Sequence, residues 1–282
     1  MKSRCVRISG VGCQMVVLFG LLAACPVGLA QSEDLPKAET ILDRFVEVTG
    51  GKAAHEKQKN RVAKGTLSVM VPGTKINGTI TVYEAAPDKV YAVSELGAMG
   101  KSEEGVSDGV AWEKSTMQGA RLKEGDEKAT ALRHAVFNSD LHWRKVYKKV
   151  KTIGIETVNG SSAYRLELTP ESGKPDEAYF DKESGLQVKR VIKIPTPMGE
   201  LPMEAAISDY RAVGGVKVPH KVIQKVMTQE VTLEVEKIEI NVKIPEDRFD
   251  PPEDVRALIA KQGKDGKNKD KQDKKKDSEP GQ

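Results

Sequence analysis

Between Met203 and Pro252 apolar and polar residues alternate with a period of two, the spacing of half-buried strands joined by hairpins. Val216, Val218, His220, Val222, Gln224 and Val226 fall on one face of such a strand, and Lys217, Lys221 and Lys225 on the other. Gly214-Gly215 supplies the positive-φ pair that a tight hairpin needs, and Thr228-Gln229 marks the next turn. Val231, Leu233 and Val235 continue the inward phase, but Ile238, Ile240 and Val242 take it over beyond Lys237. A change of phase inside a strand predicts a β-bulge near Lys237.

The same reading applies upstream. Pro36–Thr49 places Ile41, Leu42, Phe45 and Val48 at helical spacing and stops at Gly50-Gly51. Leu67, Val69 and Val71 alternate, Pro72-Gly73 turns the chain, and Ile76, Gly78, Ile80 and Val82 alternate on the way back. Lys89–Glu95 reads as a further strand, and Gly100–Val106 and Val110–Lys114 flank a turn at Ser107-Asp108-Gly109. The period then changes. Asp126–Lys149 has neither Pro nor Gly and suits helices broken near Asn138-Ser139-Asp140. Strands resume at Thr152–Thr157 and Ser162–Thr169 around Asn159-Gly160, then at Asp176–Asp181 and Leu186–Ile194.

A helix, several strands, a helical insertion and many more strands, with no βαβ alternation, predict an α+β fold. The expected architecture is one curved antiparallel sheet of about ten strands, a half-barrel. Its concave face is covered by the N-terminal helix and the helical insertion, and such an arrangement can enclose an apolar cavity.

Composition sets the ends apart. The chain has 282 residues and a formal net charge of +4. Residues 1–30 hold Lys2, Arg4 and Arg7 without an acid, and residues 261–282 hold 8 Lys against 5 acids, so removing +3 at each end leaves the body at −2. A nucleic-acid-binding body is normally basic, and this one is not. Cys5, Cys13 and Cys25 all lie in the first thirty residues, so the body has no disulfide, thiolate metal site or cysteine nucleophile.

The first thirty residues read as an export signal, with a basic start and an apolar run at Met15–Ala24 too short to span a bilayer. Gly28-Leu29-Ala30 suits cleavage before Gln31, and Leu22-Ala23-Ala24-Cys25 offers lipidation of Cys25 instead, although Pro26 is unhelpful after a lipidated cysteine. The expected layout is a signal over 1–30, a body over 31–260 and a Lys-rich disordered tail over 261–282. The product would be periplasmic, or anchored to an envelope membrane through Cys25. The Lys274-Lys275-Lys276 run offers contact with anionic lipid, diluted by the acids around it.

Catalytic motifs are missing from the sequence, including Gly-x-Ser-x-Gly, His-Glu-x-x-His and phosphate-loop patterns. His55 reads as a solvated loop residue, and His220 as a satisfied strand residue rather than a metal ligand. His134 and His142 stand eight apart across the helix break, off the spacing of a two-histidine metal face. No catalytic residue, metal or cofactor is expected. Met70, Met99, Met117, Met198 and Met203 are flexible apolar fillers that suit an adaptable pocket or any loose core.

Four segments, in order, resemble the LolA-like superfamily of periplasmic lipoprotein-sorting and lipid-carrying proteins. They are Ala86-Pro87-Asp88-Lys89, Ser107-Asp108-Gly109-Val110-Ala111-Trp112, Phe180-Asp181-Lys182-Glu183-Ser184-Gly185-Leu186 and Asp247-Arg248-Phe249-Asp250-Pro251-Pro252. The likeness spans Ala38 to Pro252. It implies a half-barrel lidded by helices that holds acyl chains without cofactor or catalysis. Ala86 departs from the pattern, because the lipoprotein-sorting carriers have an arginine there that helps hold the lid. The resemblance therefore implies acyl-chain holding rather than lipoprotein transfer specifically. The candidate cavity residues are Leu67, Val69, Ile80, Val82, Val218, Val222 and Leu233 on the sheet, with Trp112, Phe137 and Trp143 in or beside the lid. Core packing is the alternative role for the three aromatics. The implied partner is a lipid or acylated protein. A scaffold whose half-barrel is filled by its own side chains, or an enzyme whose site forms only in the fold, remains as an alternative.

Overall fold

The computed structural model describes residues 34–71, 73–196 and 199–263, and everything below concerns the unit that begins at Leu35. The expected export signal, Cys25, Met198 and the tail beyond Gly263 lie outside the described residues.

Helix α1 (Ala38–Val48) buries Ala38, Ile41, Leu42, Phe45 and Val46, the one-sided stripe its sequence spacing requires. A short helix α2 (Lys52–Lys57) follows. Next come β1 (Asn60–Val71), β2 (Thr74–Ala85), β3 (Lys89–Leu96), β4 (Gly100–Ser107), β5 (Val110–Ser115) and β6 (Gly119–Leu122). The insertion carries α3 (Gly125–His134) and α4 (Trp143–Val146), broken at Asn138, where φ is 52°. Strands β7 (Tyr147–Val158), β8 (Ser161–Pro170), β9 (Asp176–Asp181), β10 (Gln187–Thr196), β11 (Gly199–Val213), β12 (Val216–Val226) and β13 (Gln229–Ile240) complete the order. Residues 253–263 form a last helix, α5.

Among the described residues the strands form one antiparallel sheet in the order β6-β5-β4-β3-β2-β1-β13-β12-β11-β10-β9-β8-β7. The first and last members do not meet, so the sheet is open, yet it is strongly curved. Helix α3 packs on both β5 and β10, which stand eight places apart in that order. In a flat sheet they would be roughly 38 Å apart, more than three helix diameters. One helix reaches both only if the sheet wraps around it.

The hairpins follow their turn residues. Gly214 and Gly215 adopt φ 58° and 84° between β11 and β12, as a two-residue hairpin requires. The expected bulge is present: Lys64 faces Lys237 while Gly65 faces Val235, which leaves Glu236 as the extra residue.

The structure departs from the sequence reading in several places. Thirteen strands replace about ten. β6 is not separable by pattern, since the alternation of Gly-Ala-Arg-Leu lasts only four residues. The helical stretch ends at Val146, not Lys149, because a register shift between Tyr147 and Lys149 hides the period of two at the start of β7. α5 and the segment before it cover the convex face, where Phe249 and Val255 pack on Tyr91 and Trp112.

Candidate functional site

Pairing register fixes which side chains share the concave face. Gly78, Leu67, Leu233 and Val222 form one row of directly opposed residues across β2, β1, β13 and β12. The next row runs Ile76, Val69, Val231, Gln224, Ala205 and Arg190, from β2 round to β10. Ile80 and Val82 lie on the same face of β2, and Val218 lies further along β12. Seven candidates from the sequence, Leu67, Val69, Ile80, Val82, Val218, Val222 and Leu233, therefore share one wall. Val69 and Val218 are buried; the other five are only half-buried, and none of the seven belongs to a packed core cluster.

Across β7–β10 the concave face is filled instead. Ile41, Leu42 and Phe45 of α1 pack there on Leu166, Leu168, Ala178 and Phe180. Trp143 belongs to this cluster; its indole N–H donates to Asp43 Oδ1 at 3.1 Å, and the Arg144 guanidinium lies 4.0 Å over its ring. Phe137 is buried under the insertion with the Arg61 guanidinium 5.5 Å from its ring. Its backbone N–H donates to Pro87 O at 2.9 Å, and the Asn138 amide donates to His55 O at 2.8 Å. Arg61 is itself held by both oxygens of Glu84. These contacts tie the insertion to α2 and to the turn between β2 and β3. They also border a cavity of about 910 Å³ lined by Leu132, Val136, Phe137 and Leu141.

Trp112 does not join the wall. It faces Gly105 and Leu122 on the convex side, 1% exposed beneath Phe249 and Val255. Its strand pattern alone carried no sign of which face would be inner.

His55 corrects another expectation. It is 5% exposed within α2, and its Nε2 stands 3.1 Å from Thr49 Oγ1. Burial pushes its pKa below the ordinary histidine value. The polar sequence around it suggested solvent, but the turn between α1 and α2 folds the ring inward. His220 is buried with Nδ1 3.0 Å from Val218 O, and His142 lines the large cavity. Among the described residues no group of three or more His, Cys, Asp or Glu is arranged to hold a metal.

Sequence reasoning missed the charged centre. Asp176 of β9 is 2% exposed. Its Oδ1 accepts from Arg133 Nη2 of α3 at 3.0 Å, and its Oδ2 accepts from Arg190 Nη2 of β10 at 2.7 Å. Arg190 also donates to the Tyr147 hydroxyl, and His134 Nε2 stands 3.7 Å from Asp176. Burial alone would raise the Asp176 pKa, but the His134 ring and the charges of Arg190 and Arg133 outweigh it and hold the carboxyl at about 2. Burial raises the Tyr147 hydroxyl instead. These residues come from four separate elements, so no local motif could have announced them.

No family model matches this sequence, and neither does any curated protein. Solved structures do match. A LolA superfamily protein from Nitrosomonas europaea aligns with TM-score 0.53 at 12% identity, over 77% of this chain and 99% of its own. The fold is LolA-like. An outer membrane lipoprotein-sorting protein domain from Vibrio parahaemolyticus and a DUF1329 family protein from Desulfovibrio piger each align with TM-score 0.52 at 13% identity, over 76% of this chain and 97% of theirs. At these identities the likeness concerns the LolA-like half-barrel itself. Among the described residues no helix is long and apolar enough to cross a membrane.

Proposed function

We propose that this chain is an exported envelope protein that binds or carries a lipid or a lipidated partner in its half-barrel, without catalysis. The observation that supports the reading is the wall of Leu67, Val222 and Leu233 with its neighbours, apolar, concave and outside every packed cluster. An acyl chain laid against such a wall gains about 0.8 kcal/mol for each methylene removed from water, so it can be held without polar recognition. The insertion is the part that opens; it is docked by the polar contacts around Phe137 and Asn138 together with the packing of Ala135 on Val106 and Ala111. Export follows from the pattern of residues 1–30, either with release after Ala30 or with retention through a lipidated Cys25. The expected body over 31–260 is followed by a Lys-rich segment over 261–282, whose lysines reach anionic membrane surfaces. A LolA-like fold in a protein described as a lipoprotein-sorting domain agrees with this role.

Native mass spectrometry of protein purified from the cell envelope tests the reading. Co-purifying lipid, lost on delipidation and regained on incubation with long-chain amphiphiles, is the expected result. Protein that carries none and takes up none is a self-filled scaffold, and the carrier reading then fails.

A further inference from the structure

The apolar row that starts at Val69 ends on a guanidinium. Val69, Val231, Gln224, Ala205 and Arg190 oppose one another in sequence across five strands. A separate pocket of about 240 Å³ joins Arg190 and Arg133 to Gln224, with Ile192, Met203 and Ala205 as its apolar lining. The pocket thus has a cationic end, and beyond Gln224 the row of opposed residues continues on the sheet to Val231 and Val69.

The charges at that end do not cancel. Two guanidiniums meet one carboxylate, Asp176, and leave one positive charge. Burial holds the His134 imidazole below its usual range, so it contributes none near neutral pH. Asp140 also acts on Arg190, but it is exposed and solvent screens it. Arg61 is matched by Glu84. The Arg133 side chain is 7% exposed, and its Nε and Nη1, like Nε of Arg190, find no partner within the protein. A desolvated cation with unused donors costs stability unless an anion reaches it. The planar guanidinium is the side chain best suited to take an oxyanion through parallel N–H bonds.

We infer that the ligand is an amphiphile with a single anionic head, a carboxylate or a phosphate ester, held by Arg133 and Arg190 while its chain lies along the Ala205–Gln224–Val231–Val69 row. The inference rests on the lipid-binding reading and narrows it to acidic lipids. The head takes up unused guanidinium donors without displacing Asp176, and the chain supplies the remaining affinity through burial.

Calorimetry on the delipidated full-length protein separates the possibilities. The probes are hexadecanoate, hexadecyl phosphate, hexadecanol and inorganic phosphate. Both anionic amphiphiles should bind at least about tenfold more tightly than the alcohol, the effect of one charge-assisted hydrogen bond, and inorganic phosphate should not compete at equal concentration. Arg190→Gln should abolish the preference for the anionic amphiphiles over hexadecanol. Arg190→Lys keeps the charge without the fork, guards against a folding defect in the first variant, and should retain part of the preference. Equal affinity for alcohol and anions, or an unchanged preference in both variants, overturns the head-group inference alone. Competition by inorganic phosphate overturns it in favour of a free-anion site. Failure of every long-chain probe, hexadecanol included, overturns the lipid-binding reading as well.

Discussion

The Trp112 indole lies against Gly105, its directly opposed partner on β4, so closely that a Cβ at Gly105 would stand 2.6 Å from the ring. The ring is sealed from the other side by Val255, which is fully buried. Gly105→Ala therefore forces the indole out of its place, with a cost of about 1–3 kcal/mol for overpacking. Chemical denaturation followed by tryptophan fluorescence should show a lower midpoint and a changed native emission. An unchanged midpoint would mean that the ring shifts freely, contrary to the packing described.

Val255 fixes the last helix to the convex face. Val255→Ala should cost about 2 kcal/mol, the value of a fully buried valine side chain. Amide exchange should rise in residues 253–263 and around Tyr91 while β7–β10 stays protected. A change confined to the helix, with no response near Tyr91, would show that the segment does not support the sheet.

Asp176 is expected to stabilise the fold only while ionised. Its carboxyl is held at about 2, below its ordinary value of 3.8, so the folded state is favoured by ionisation. The contribution is complete above about pH 4 and is lost as pH falls through 2, about 2 kcal/mol in all. Denaturation midpoints measured across that window should fall in the wild type and lose most of that slope in Asp176→Asn. The substitution itself leaves the buried Arg133 and half-buried Arg190 guanidiniums without their anion and should cost about 3–5 kcal/mol at neutral pH. A variant as stable as the parent would remove the centre from the account of the fold.

Leu233 separates binding from folding. It is half-buried on the wall and belongs to no packed cluster, so Leu233→Gln should change stability by less than about 1 kcal/mol. The affinity for a long-chain fluorescent probe should nevertheless drop by about tenfold, because polar atoms replace apolar surface beneath the chain. Equal losses of stability and affinity would mark Leu233 as core, and an unchanged affinity would move the ligand elsewhere.

The sheet was legible in the sequence because its signals are local. Alternation marks the strands, and Asn159-Gly160 and Gly214-Gly215 mark hairpins whose register then follows from counting. Even the Glu236 bulge was visible, as a change of phase. The inner and outer faces are harder to read, since both sides of β3–β5 bury apolar residues; the pattern suits Trp112 to the lid region, whereas the fold places it under α5. The centre around Asp176 was invisible for a different reason. Arg133, Tyr147 and Arg190 each look like ordinary residues of a half-exposed helix or strand, and only the curvature of the sheet brings them to one carboxylate.

The open ends of the sheet have a consequence for life in a crowded compartment. A strand with unpaired backbone groups invites another chain to add to it, and a thirteen-stranded sheet has two such strands. At one end β6 is only four residues long, too short to template a stable partner. At the other, β7 exposes Lys149 and Lys151 along its first half, besides Lys148 paired with Glu171, so two copies approaching through that strand meet each other's positive charge. The lysines that blurred the start of β7 in the sequence thus help keep neighbouring copies from polymerising strand to strand.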